Sequence, residues 1–204
     1  MNSFFINRKG FTIIELIVVI SIIAVLSAII IPNVSGILEN SKVASAGRIQ
    51  REMIKAVQLY YADMGFYPPD VNRGCDPGLS KSTPWNPDTL PPDTAFPCLA
   101  HPACDPPHCP EGWETIVADN WHGPYLSSWP QFTPWGGKYD YNYWDTDQNR
   151  GCGTVPHGIY MGVEGNYDGT GIIPDSAEQK MLQYGFKTDC IDSGEAQMTL
   201  QLLP

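Results

Sequence analysis

The sequence predicts an α+β chain: a long N-terminal α-helix, apolar in its first half and amphipathic in its second, packed on a small antiparallel β-sheet head with a Cys/Pro-rich loop insertion. Three observations predict it. Phe11 to Ile31 is an apolar run carrying a single charge, Glu15. The residues that follow place apolar side chains at steps of three and four, with charges on the other faces. The last third of the chain holds short stretches of period two, bounded by Gly, Pro, Asn and Asp.

Residues 1–10 form a short leader ending in Arg8-Lys9-Gly10. The basic pair is expected to stay on the cytoplasmic side, which places everything C-terminal outside the inner membrane. Residues 11–31 form the transmembrane segment, roughly 31 Å long at 1.5 Å per residue and so matched to a bilayer's hydrocarbon core. This is not the layout of a cleaved secretory signal, because no A-x-A pattern follows Ile31. Glu15 costs about 2.5 to 3.5 kcal/mol if it lies at the centre of a spanning helix, so it is expected to have a partner.

The run Arg8-Lys9-Gly10-Phe11-Thr12-Ile13-Ile14-Glu15, continuing apolar to Leu26 and then Pro32, resembles the type IV pilin superfamily, which includes the pseudopilins of type II secretion. The resemblance implies that a prepilin peptidase cuts after Gly10 and methylates the new amino terminus on Phe11. It implies that Glu15 meets the amino terminus of a neighbouring subunit during assembly, and that Pro32 kinks the helix. The physics agrees: a buried charge is costly alone and much cheaper when paired, so Phe11 and Glu15 together favour one register of assembly.

From Pro32 to Gly65 the helix is expected to continue as an amphipathic segment, with Val34, Ile37, Leu38, Ala46, Ile49, Met53, Ala56, Val57, Tyr60 and Met64 facing a folded head. Arg48 and Glu52 form an i, i+4 pair on the wet side. Gly65 is the expected stop, and Pro68-Pro69 prevents resumption. Residues 66–112 read as a long loop region held by disulfides. Cys75, Cys98, Cys104, Cys109, Cys152 and Cys190 all lie outside the helix, an even count suited to an oxidising compartment, with 15 connectivities open. Cys98, His101, Cys104, His108 and Cys109 also offer soft ligands, but an exported segment with no C-x2-C pair favours disulfides over zinc.

Residues 113–204 read as the β-rich head. Tyr139, Tyr141 and Tyr143 alternate with Lys138, Asp140 and Asn142 as a strand whose aromatic face is expected to be core rather than a sugar-stacking row. Ile159–Val163 and a stretch around Met198, Leu200 and Leu202 supply further strands, and a short helix is expected from Asp175 to about Tyr184. Gly123-Pro124-Tyr125-Leu126 and Pro134-Trp135-Gly136-Gly137-Lys138-Tyr139-Asp140-Tyr141 resemble a signature of the major pseudopilin. That resemblance implies a calcium loop after a strand, for which Asp168 and Asp175 are the candidates and Ca2+ the cofactor. Asp145, Asp147 and Asn149 begin like an EF-hand, but Arg150 and Pro156 stand where Gly and Glu are needed.

The first 55 residues hold six of the 12 basic groups and three of the 22 acidic ones, leaving six against nineteen, a net −13, in the rest. Such a head offers no electrostatic support for nucleic acid. No catalytic motif stands out, neither a G-x-S-x-G, a P-loop nor a G-x-G-x-x-G. The sequence therefore points to a non-enzymatic filament subunit, most simply a type II secretion pseudopilin. A surface pilin for adhesion, motility or DNA uptake is the neighbouring alternative, and a membrane-anchored glycan- or metal-binding module that never polymerises is the alternative of another class. The expected partners are further copies in a helical filament, minor pilins or pseudopilins, a prepilin peptidase and an inner-membrane assembly platform.

Overall fold

The computed structural model describes residues 10–80, 98, 100–101, 109–144, 146–149, 153–183, 187–190 and 197–203, with backbone alone for 30–33, 100–101, 187–190 and 197–203. The chain forms two compact units, residues 1–39 and 40–204. The helix α1, Ile13–Met64, contributes to both. In the first unit its side chains are exposed all round: Ile13, Ile17, Ile20, Ile23 and Leu26 each keep more than half of their surface. Val34, Ile37 and Leu38 are exposed as well, so the buried seam expected from Val34 onward starts later, at Val43.

In the second unit α1 buries Val43, Ala46, Gln50, Met53, Val57, Tyr60 and Met64, steps of three and four that keep one stripe on the core. Gln50 donates there from Nε2 to the carbonyl of Met161 at 2.7 Å. Gly65 ends the helix with φ 78°, a left-handed conformation that glycine adopts without a Cβ penalty, and its N–H bonds the carbonyl of Tyr61 at 2.8 Å.

The head is built on a four-stranded antiparallel sheet of β3 (Lys138–Trp144), β6 (Gly158–Glu164), β8 (Gln197–Leu203) and β7 (Lys187–Cys190), in the order β3-β6-β8-β7. Tyr139 lies opposite Val163 and Tyr141 opposite Met161. All seven residues of β6 are buried, as befits a strand paired on both edges. Tyr139 and Tyr141 are fully buried, so the aromatic row belongs to the core, and Tyr141 donates its hydroxyl to the carbonyl of Pro68 at 2.8 Å.

The loop region is more organised than its composition suggests. β1 (Asp70–Val71) pairs antiparallel with β2 (Ala100–His101), and Cys75 is bridged to Cys98. Cys109 is disulfide-bonded too, and no cysteine is free among the described residues. The expected zinc alternative loses Cys98 and Cys109 on this account, because a bridged sulfur is no thiolate ligand. Cys104 and Cys152 lie outside the described residues, as does the side chain of Cys190. Buried Asp76 fixes the turn beside the bridge, accepting from the N–H groups of Gly78 and Leu79 on Oδ1 and from the N–H and hydroxyl of Ser80 on Oδ2.

Three elements were not evident in the sequence pattern: α2 (Trp113–Asn120), the strand β7, and a small pair of β4 (Gln148–Asn149) with β5 (Thr154–Val155). The expected last helix is present as α3, Asp175–Gln183.

Candidate functional site

The residues that carry the strongest sequence signal sit at the start of α1. Thr12 and Glu15 cap one another. The Thr12 N–H donates to Glu15 Oε2 at 2.8 Å and its hydroxyl to the same oxygen at 2.7 Å, while the Glu15 N–H donates to Thr12 Oγ1 at 3.3 Å. This is a reciprocal capping box, T-x-x-E, which satisfies orphan donors of the first helical turn. The T-x-x-E spacing is present in the sequence and was the signal for this local partner, which the charge argument alone did not supply.

Around that carboxylate the surface is apolar without interruption. Phe11 is 81% exposed, and no side chain of the chain itself covers Ile13, Ile14, Leu16 or Ile17 beyond about half. Ser21 hides its hydroxyl by donating to the carbonyl of Ile17 at 2.7 Å. Thr12, Ser21 and one oxygen of Glu15 thus find partners within the helix itself. The fold itself makes no demand for glycine at position 10, since a Cβ there would meet nothing within 4 Å.

No single helix among the described residues is long and apolar enough to cross a membrane, whereas Ile13–Ile29 and Val34–Met64 together meet the measure of length and composition. Arg8 and Lys9 lie outside the described residues, and at Pro32, the expected kink, only the helical backbone is described. The expected Arg48–Glu52 pair is present at 2.7 Å on exposed side chains.

The acidic loop after β6 is held by its own hydrogen bonds. Asp168 Oδ1 accepts from the Thr170 N–H at 2.9 Å and its hydroxyl at 2.7 Å, which keeps the Asp168 carboxyl below the usual range. Asn166 donates from Nδ2 to the carbonyl of Gly136 at 3.1 Å and to Thr170 Oγ1 at 2.9 Å, fastening the loop to the Trp135-Gly136-Gly137 turn. The approach is close enough that a Cβ on Gly137 would stand 2.0 Å from the carbonyl oxygen of Glu164. Among the described residues no three His, Cys, Asp or Glu side chains gather as a metal site. Asp147, from the EF-hand-like start, instead accepts from the His157 N–H at 2.8 Å and lies 2.9 Å from its Nδ1.

Two further clusters escaped the sequence reading because their members are far apart in the chain. Asp63 Oδ2 accepts the Tyr125 hydroxyl at 2.7 Å and lies 3.4 Å from His122 Nδ1, and burial with that carboxylate pushes the Tyr125 phenol up to about 12. Arg73 is ion-paired with buried Glu164, and its guanidinium lies 4.8 Å from the centre of the Tyr167 ring.

Residues 6–31 match the family model described as the prokaryotic N-terminal methylation motif. The chain is 36% identical over 80 residues to the type IV wide pilus major component PilA4 of Thermus thermophilus, covering 39% of this chain and 60% of that protein. It is 40% identical over 63 residues to the fimbrial protein EcpC of Eikenella corrodens, covering 31% of this chain and 41% of that one. It thus spans less than two thirds of the length of either relative. No solved structure matches.

Proposed function

We propose that this chain is a structural subunit of a type IV filament, inserted as a prepilin with its head outside the inner membrane, cut between Gly10 and Phe11, methylated on Phe11 and polymerised through α1. The observation that carries the reading is the exposed apolar surface from Phe11 to Ile29, with Glu15 as its only charge, inside the stretch that matches the methylation motif. A single copy leaves that surface uncovered, at about 25 cal/mol per Å² of apolar area, so it calls for lipid before assembly and for other copies after it. Glu15, held by Thr12 in the single chain, is the group that the amino terminus of an incoming copy can recruit.

Both curated relatives are named as pilus or fimbrial components, which supports a surface pilus. The Gly123–Leu126 and Pro134–Tyr141 segments support the other setting, a periplasmic pseudopilus of type II secretion. In either setting the partners are further copies, minor subunits, the prepilin peptidase and an inner-membrane assembly platform, and the role is structural rather than catalytic.

Mass analysis of the chain from membranes and from sheared surface material tests the proposal. A methylated chain starting at Phe11 is expected, and its recovery in sheared filaments selects the surface pilus. An intact Met1 start in cells with an active peptidase overturns the reading and promotes an anchored, non-polymerising module. Glu15→Ala is expected to abolish filaments while leaving the membrane-bound monomer folded.

A further inference from the structure

The second half of α1 has a solvent face that the head does not use. Arg48, Arg51, Lys55 and Leu59 follow at steps of three, four and four, which puts them on one stripe roughly 16 Å long. All four are exposed, Leu59 by 55%. Arg48 is paired with Glu52, but among the described residues Arg51 and Lys55 have no carboxylate partner. The same chain carries the complement. From residue 111 to 137 there is no Lys or Arg, while Glu111, Glu114 and Asp119 are all exposed, on or beside α2. Glu114 lies in the first turn of α2 with Glu111 just before that helix, while Arg51 and Lys55, four residues apart on α1, are neighbours about 5 to 6 Å apart.

Resting on the filament reading, we propose that the Arg51–Lys55 stripe of one copy docks on Glu111 and Glu114 of a second copy. Charge complementarity selects this occupant: the cations lie on one element and the carboxylates on another, in a head of net −13 beyond residue 55 that otherwise repels its neighbours. Of the other exposed acids, Asp168 already accepts from Thr170 and Asp147 from His157. A contact between two different patches is heterologous. It leaves each copy's second patch free for the next, and the assembly does not close. The apolar helix would then supply adhesion between copies, and this pair the register of the heads.

The test uses the full chain in cells that assemble it. Lys55→Glu and Glu114→Lys are each expected to lower the yield of sheared filaments by about fivefold to tenfold, the scale of exposed ion pairs lost and reversed, and the double variant to recover it. Zero-length carbodiimide coupling should join Lys55 to Glu111 or Glu114 in filaments and not in detergent-dispersed monomer. Unchanged filaments in Lys55→Glu, no recovery in the double variant, or Lys55 coupled elsewhere overturns the inference. So does a Lys55→Glu variant whose only defect is release from anionic vesicles, which would make lipid the occupant. Tryptophan fluorescence of each variant monitors the fold. Wild-type chains that form no filament at all defeat the filament reading itself, whereas wild-type filaments indifferent to these charges defeat only the docking.

Discussion

Asp70→Asn is expected to stabilise the head above neutral pH and to leave it unchanged in acid. Asp70 opens β1, and its Oδ1 accepts the N–H of Tyr143 at 3.1 Å. Burial raises its pKa from the ordinary 3.8 to about 7, with hydrogen bonds from Tyr143 and Val71 opposing and the nearby Glu164 carboxylate adding to the rise. The folded state therefore holds this proton more tightly than the unfolded chain. Stability from the group is fully present below pH 3.8, falls as pH rises, and is gone above about 7. Three pH units correspond to about 4 kcal/mol, and the carboxyl's residual exposure reduces this to about 2 kcal/mol. Asn keeps the carbonyl acceptor for Tyr143 and never ionises. The assay is denaturant unfolding of the full chain in detergent between pH 4.5 and 8.5, followed by tryptophan fluorescence; all six tryptophans lie beyond residue 84, so the signal reports the head. The variant should exceed wild type by about 2 kcal/mol at pH 8, and the margin should shrink steadily towards pH 4.5. Parallel profiles for the two proteins would refute the reasoning.

Replacing both Cys75 and Cys98 by Ser should cost about 3 kcal/mol, the loop-closure entropy of a bridge 23 residues apart, and reduction of wild type should lower the melting temperature in step. Asp76→Ala strands the N–H groups of Gly78, Leu79 and Ser80 and is expected to cost about 3 kcal/mol in the same unfolding assay, whereas Ser80→Ala should cost under about 1 kcal/mol. Because Asn166, Asp168 and Thr170 satisfy one another, chelation with EGTA should leave the melting temperature unchanged; a rise of several degrees on adding millimolar calcium would show that the loop holds the ion after all.

What the sequence alone determined about this chain is whatever depends on neighbours along the chain. The apolar run with Glu15 is a one-dimensional signal, since hydropathy needs no partner to be counted. The steps of three and four placed Met53, Val57 and Tyr60 on the core stripe, Gly65 at the helix end, and the period of two placed Tyr139 and Tyr141 inside. That logic overreached at Val34, Ile37 and Leu38, which share the period and remain exposed: periodicity identifies an apolar face without saying what covers it. Only the tertiary structure decided the rest, because it depends on residues brought together from distant parts of the chain. It paired Cys75 with Cys98 out of 15 formal connectivities. It joined Asp63 of α1 to Tyr125 and His122, buried Glu164 against Arg73, and brought Asp168 within reach of Thr170. A carboxylate's role follows from which donors reach it first, and reach is a property of the folded backbone.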